Sequence, residues 1–212
     1  MRRGILCAGN WVVDRVKTID RWPEEGTLCN ILAEERSPGG GPCNVLFDLA
    51  AMDPELPLYA AGRIGEDAEG EFLLAEIARR GIDGTWMRRS SVRPTSGTDV
   101  MSGGGKRTFF HAPGANVEFS AEDLAGAERC PAEFFYLGYL LLLPALDAAD
   151  PEYGTAAARL LETMRRAGFR TVVDFVTGDT ARFRPAAEAA LPRTDILILN
   201  ELEADGCTGV PL

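Results

Sequence analysis

Short apolar runs alternate along this chain with amphipathic stretches of three or four turns, and that alternation limits the fold more than any other feature. The runs "GILCAGN" (4–10), "FFYLGY" (134–139), "RTVVDFV" (170–176) and "DILILN" (195–200) read as buried strands. Between them lie segments of helical period. "EDAEGEFLLAEIARRG" puts Phe72, Leu73, Ala75, Ile77 and Ala78 on one stripe, with acids early, arginines late and Gly81 as a stop. "EYGTAAARLLETMRRAG" and the shorter "PAAEAALPR" repeat the pattern. Strands buried on both faces and joined by helices imply βαβ units and a parallel sheet covered on both sides. Ligands of such sheets gather beyond the carboxyl ends of the strands. Asn10, Asp14, Gly138, Asp174, Asn200 and Glu203 are expected there.

The stretch "SPGGGPCNVLFDLAAM" (37–52) runs three glycines into Pro42 and Asn44 and then into apolar residues Val45, Leu46, Leu49, Ala50 and Met52 at helical spacing. Glycine permits both unusual backbone angles and close approach of a ligand. Pro42 suits a first helical turn. The segment therefore reads as a tight turn feeding a helix N-terminus whose free N–H groups can receive oxygen-rich ligands. Two further regions, about 16–36 and 95–111, lack a helical period and alternate in polarity, which suggests a small separate sheet. Within the second, "SGGGKRT" does not fit a phosphate loop, because Lys106 is followed by Arg107 and the flanks are strand-like; a hairpin turn is expected.

The net charge of −10 makes nucleic acid an unsuitable partner. Five cysteines, odd in number and without C-x-x-C spacing, argue against a disulfide framework or a zinc site and for a reducing cytoplasm. No run is long enough to span a bilayer, and the N-terminus lacks the apolar stretch of a signal peptide. Cys43 is expected to be a small buried residue. His111, the sole histidine, has no Ser or Cys partner at a triad spacing and is expected to be structural or to face the small sheet. "NELEAD" (200–205) can hold hydrated Mg²⁺ through oxygen ligands or simply be an acidic helix start. "GRIGEDAEG" (62–70) can contact a ligand or be a capped turn. Trp11, Trp22, Asn30, Met101, Phe110 and Tyr139 are candidates to shape a pocket, with packing as the competing role.

Taken in order, "GNWVVD", "PGGGPCNVLFDLAAM", "GRIGEDAEGEFLLAEIARRGID", "HAPGAN", "VVDFV" and "NELEA" resemble the motifs of the ribokinase-like (PfkB-type) carbohydrate kinases across the whole chain. The resemblance implies a three-layer α/β/α sandwich with a mostly parallel sheet, here one domain over residues 1–212, and a small β-sheet lid inserted at about 16–36 and 95–111. It implies transfer of the γ-phosphoryl group of Mg²⁺-ATP to a hydroxyl of a sugar or nucleoside, with a monovalent cation as a further cofactor. Asp14, Gly39, Gly40 and Asn44 would bind substrate hydroxyls. Asn200 and Glu203 would orient the phosphates, with Glu203 reaching the metal through water. A homodimer would form through the lids, with neither membrane nor nucleic acid as partner. The family's Gly-Ala-Gly-Asp segment, which carries the catalytic base, occurs nowhere in this sequence. The expectation is therefore a chain truncated before its base and inactive alone. The alternative is a non-catalytic polyol sensor or pseudokinase of the same fold.

Overall fold

The computed structural model describes residues 2–178 and 180–210. Strand β1 (Ile5–Gly9) leads directly into β2 (Val12–Ile19) and β3 (Ile31–Gly39), followed by helix α1 (Gly41–Met52). Next come β4 (Leu58–Gly65), α2 (Ala68–Arg79) and β5 (Asp83–Ser90), and then the hairpin β6 (Gly97–Gly103) and β7 (Lys106–Ala112). Three short 3₁₀ segments between Gly114 and Arg129 precede β8 (Phe134–Leu140). Helix α3 (Pro144–Asp147), the two-residue strands β9 (Ala149–Asp150) and β10 (Gly154–Thr155) and helix α4 (Ala156–Arg166) follow. The described chain continues through β11 (Arg170–Phe175), α5 (Phe183–Ala190), β12 (Ile196–Ile198) and α6 (Glu201–Thr208).

Six strands form a wholly parallel sheet in the order β12-β11-β8-β1-β4-β5. Alternate residues of β1 feed two separate cores. Ile5 and Cys7 pack with Cys43 and Leu46 of α1 and with Leu73 and Ile77 of α2. Leu6 and Ala8 pack on the other face with Phe119, Leu160, Leu161 and Phe183. The sandwich is therefore three-layered, as the uninterrupted apolar runs require. The expected stripes are wider than what is buried. Met52 is 81% exposed, and in α1 the fully covered residues are Gly41, Pro42, Cys43 and Leu46. In α2, Ala75 and Ala78 lie exposed while Leu73 and Ile77 reach the core. Among the described residues, no helix is long and apolar enough to cross a membrane.

A second sheet has the order β3-β2-β6-β7. Its strands begin and end away from the expected segments: β2 starts at Val12, and residues 20–30 form a loop around Pro23 and Gly26 rather than strand. The alternation read in "TLCNILAEERS" becomes strand only from Ile31, and every residue from Ile31 to Ser37 is exposed. Gly104 and Gly105 join β6 to β7 with φ of 56° and 74°. Two residues in the left-handed region match the twist of a tight hairpin, which explains "SGGGKRT" without any phosphate. Arg15 and Arg36 reach Glu69 at the start of α2 at 2.6 and 3.4 Å and so connect this sheet to the sandwich. Strand β5 and the 3₁₀ segments were not anticipated, because "DGTWMRRS" is half polar and lacks a clean period.

Candidate active site

The main sheet reverses its direction of growth at β1. The chain proceeds from β1 to β4 and β5 on one side, then returns through β8 to β11 and β12 on the other. Strand ends diverge at such a point and leave a crevice. Here the ends of β1 and β8 are in register at Gly9 and Gly138, and the Asn10 N–H donates to the Gly138 carbonyl at 2.9 Å. A side chain at Gly9 would strike that carbonyl, since a Cβ there would lie 1.4 Å from it. Asn10 is wholly buried, donating to the Leu142 carbonyl at 3.2 Å and accepting from the Tyr139 N–H at 3.3 Å.

The corner between β1 and β2 is braced from two sides. Trp11, also fully buried, donates through Nε1 to the Ala61 carbonyl at 2.9 Å. The Asn116 side chain pairs with both backbone groups of Trp11, at 3.3 and 3.0 Å. These contacts aim β2 across the crevice, and its third residue is Asp14. Asp14 thus sits within a strand of the small sheet rather than in a loop after the first strand, as its position in the sequence suggested. Gly39 lies directly beneath it: a Cβ there would come within 2.1 Å of the Asp14 carboxylate. Gly40 adopts φ 97° and ψ 155°, a region almost restricted to glycine, and a Cβ on it would lie 2.2 Å from the Asn10 carbonyl. The glycine triplet is therefore required first by the protein's own crowding. Asn44 projects from the first turn of α1, and its side chain is hydrogen-bonded to the Tyr139 hydroxyl.

Asp14, Gly40 and Asn44 border a cavity of about 490 Å³, with Asn10 and Tyr139 at its floor and Thr98, Phe109 and His111 on the side of the small sheet. Thr177 and Gly178, beyond β11, close the far end. Burial raises the Asp14 carboxyl above its usual range, opposed by a hydrogen bond from Thr98. Of the pocket candidates read in the sequence, Tyr139 borders the cavity; Trp11 is core, and Trp22, Asn30, Met101 and Phe110 do not line it. The pleat of β7 decides this, presenting Phe109 and His111 inward and Phe110 away.

Asn200 and Glu203 do not border this cavity. They form a reciprocal capping box at the start of α6: the Glu203 N–H donates to Asn200 Oδ1 at 2.9 Å and the Asn200 N–H to Glu203 Oε2 at 3.0 Å. Both also hold Thr177, whose hydroxyl lies 2.9 Å from Glu203 Oε1 and from Asn200 Nδ2. The acidic helix start and the placement of the cavity's far end are thus properties of the same two side chains. Between the two ends lies a pair that sequence reasoning did not assemble. The Tyr136 hydroxyl donates to Asp174 Oδ2 at 2.5 Å, while Asp174 Oδ1 is buried with no partner among the described residues. Burial, with the Glu203 charge nearby, raises the Asp174 carboxyl to about 7.

Other open alternatives resolve as structural. Asp67 of "GRIGEDAEG" accepts from the Gly70 N–H at 2.8 Å and from the Thr95 N–H at 2.7 Å, capping α2 and fixing the entry to β6. Cys43 is buried, and its thiol is pushed up to about 12, so it is inert as a nucleophile.

The family model described as pfkB family carbohydrate kinase matches residues 3–212. The chain belongs to this family. It is 29% identical over 175 residues to the fructokinase of Klebsiella pneumoniae, covering 78% of this chain and 53% of that one. Against the ribokinase of Arabidopsis thaliana it is 27% identical over 215 residues, covering 98% of this chain and 52% of the relative. The chain therefore spans about half the length of these curated relatives. The solved structure of the Arabidopsis thaliana ribokinase, complexed with ribose and ATP, superposes with a TM-score of 0.74 at 24% identity, over 100% of this chain and 64% of that one. At that identity the likeness is one of fold.

Proposed function

We propose that this chain supplies the sugar-binding part of an ATP-dependent kinase acting on a hydroxyl of a sugar or nucleoside. The observation that carries the reading is the cavity itself: hydrogen-bonding groups from the β1–β2 corner, β2 and α1 line one end, and the loop held by Asn200 and Glu203 closes the other. Asp14 accepts hydrogen bonds from substrate hydroxyls, and Asn44 both donates and accepts. Gly40 lets the substrate approach the backbone, whereas Gly39 makes room for the Asp14 carboxylate. The small sheet acts as a lid that excludes water from the reacting hydroxyl.

Phosphoryl transfer depends on in-line positioning and on neutralisation of the developing charge. Thr177, Asn200 and Glu203 offer oxygen atoms beyond the cavity's far end, a donor type suited to Mg²⁺ that keeps most of its waters. Both Glu203 oxygens are already hydrogen-bonded, which favours contact through water over direct ligation. When bound, Mg²⁺ would supply charge neutralisation at the phosphates of ATP. A monovalent cation stays an implication of the family resemblance with no residue assigned to it. The exposed outer strand β3, with Ile31 and Leu32 52% and 65% exposed, is the surface we assign to a homodimer through the lids. The five unpaired cysteines support a cytoplasmic setting.

A non-catalytic polyol sensor of the same fold is the second reading, in keeping with Asn200, Glu203 and Thr177 being bonded to one another. Calorimetric titration with neutral sugars and nucleosides, alongside Mg²⁺-ATP and an assay of ATP turnover, tests both. Sugar binding without turnover is the expected result for this chain. A folded chain with no affinity for any polyol overturns both readings.

A further inference from the structure

Asp14, Thr98 and His111 occupy a single row across three strands of the small sheet. Asp14 is in register with Thr98 of β6, and Thr98 with His111 of β7. Residues opposite one another in a sheet project to the same face, and all three border the cavity. They are also chemically linked. The Thr98 hydroxyl stands beside the Asp14 carboxylate and favours its charged form, and its Oγ1 lies 3.1 Å from His111 Nδ1.

The hydroxyl carries one proton, and the direction of the row follows from where it goes. An ionised carboxylate can only accept, so the Thr98 proton points to Asp14. The Thr98 oxygen then offers a lone pair to His111, and Nδ1 becomes the N–H side of the ring. In a neutral imidazole the remaining nitrogen, Nε2, is an acceptor. Among the described residues, no protein group is hydrogen-bonded to Nε2.

We propose that this row holds His111 in its Nδ1–H tautomer and makes Nε2 an acceptor for a hydroxyl of the polyol in the cavity, so that His111 is a specificity-determining residue. The inference rests on the sugar-binding reading above. His111 is exposed in the ligand-free protein, yet partial desolvation by its neighbours lowers the ring's affinity for a proton and so favours the neutral form. Phe109, two residues earlier on the same face of β7, presents an apolar wall beside it. Two acceptors, Asp14 and Nε2, on one wall select a ligand with two hydroxyls facing that wall and discriminate against its deoxy or ether analogue. The basis is that an acceptor covered by a ligand that offers it no donor loses its hydrogen bond to water as well.

His111 is the only histidine in the chain, so labelling histidine with ¹⁵N yields one pair of ring signals free of assignment ambiguity. The free protein at neutral pH is expected to show the Nδ1–H pattern, and Thr98→Val should move the population towards Nε2–H. A wild-type ring already in the Nε2–H form overturns the proposal. On saturation with ribose or fructose, the Nε2 signal should shift. His111→Leu should weaken binding about tenfold, whereas His111→Gln, which retains an acceptor, keeps most of the affinity. A chain that binds sugar with Nε2 unmoved, or equally well as His111→Leu, overturns the role of His111 and leaves the sugar-binding reading intact. A folded chain that binds no polyol overturns both.

Discussion

The two ends of the crevice are built differently, and the contrast separates groups bonded to the backbone from groups that face the cavity. At the β1 end, fully buried Asn10, Trp11 and Asn116 spend their hydrogen bonds on the backbone, which leaves Asp14 and Asn44 free to face the cavity. At the β11 and β12 end, Asn200, Glu203 and Thr177 bond to one another in a local cap. There the edge strand β12 leaves Ile196, Leu197 and Ile198 36–51% exposed. At the first end the supporting groups lie behind those that face the cavity; at the second the same groups hold one another. Asp14 should therefore matter more to binding than to stability, and Glu203 more to stability than to sugar binding.

Gly40→Ala tests the crowded corner most severely. The new Cβ would meet the Asn10 carbonyl in a backbone conformation nearly reserved for glycine. A loss of roughly 2–4 kcal/mol in stability, read from the urea midpoint, is expected together with loss of sugar binding. A variant of unchanged stability would show that the corner can relax.

Asp174→Asn probes the span between the two ends. The folded carboxyl titrates at about 7, above the usual carboxylate range of about 4. The folded state therefore binds a proton that the unfolded state has released. The stabilisation associated with that proton is complete below about pH 4 and is lost as pH rises through 7. Asparagine resembles the protonated form and has no such loss. The variant should match the wild type near pH 4 and exceed it above pH 8, by on the order of 4 kcal/mol. Parallel stability-against-pH curves for the two proteins would remove Asp174 from this role.

Asp14→Ala should weaken sugar binding by roughly one to two orders of magnitude with little change in the urea midpoint, because Thr98 can turn its hydroxyl to His111 instead. Mg²⁺-ATP binding should be less affected; an equal loss of both ligands would merge the two ends into one. Glu203→Ala is the smallest change. Removing half of the capping box should cost about 1 kcal/mol and loosen the Thr177 loop while leaving sugar affinity intact. Unchanged stability would mean that the cap is redundant.

These roles were unevenly legible in the chain. The layers, the parallel sheet and the glycine-rich entry to α1 follow from local periodicity and turn chemistry, which need no distant partner. That Asp14 lies near the strand ends was likewise readable, while Gly40 and Asn44 were singled out through the family resemblance; all three border one cavity. Gly39 was readable as a place of close approach, although the group that approaches is the protein's own Asp14. The half-polar β5 was obscured because its surroundings, not its side chains, make it a strand, whereas for β3 only the starting point was misplaced.

What the sequence determined by itself is the order of the elements, the two-sided burial of the main sheet and the residues at its strand ends, because alternation and punctuation are written locally. Tertiary structure alone decided that Tyr136 meets Asp174, that Asn116 braces Trp11, and that Asp14, Thr98 and His111 form one row. Each of those contacts depends on the register between strands or loops far apart in the chain. A shift of one residue would turn every side chain on a strand to the opposite face. Phe110 was the pocket candidate and Phe109 lines the cavity for that reason.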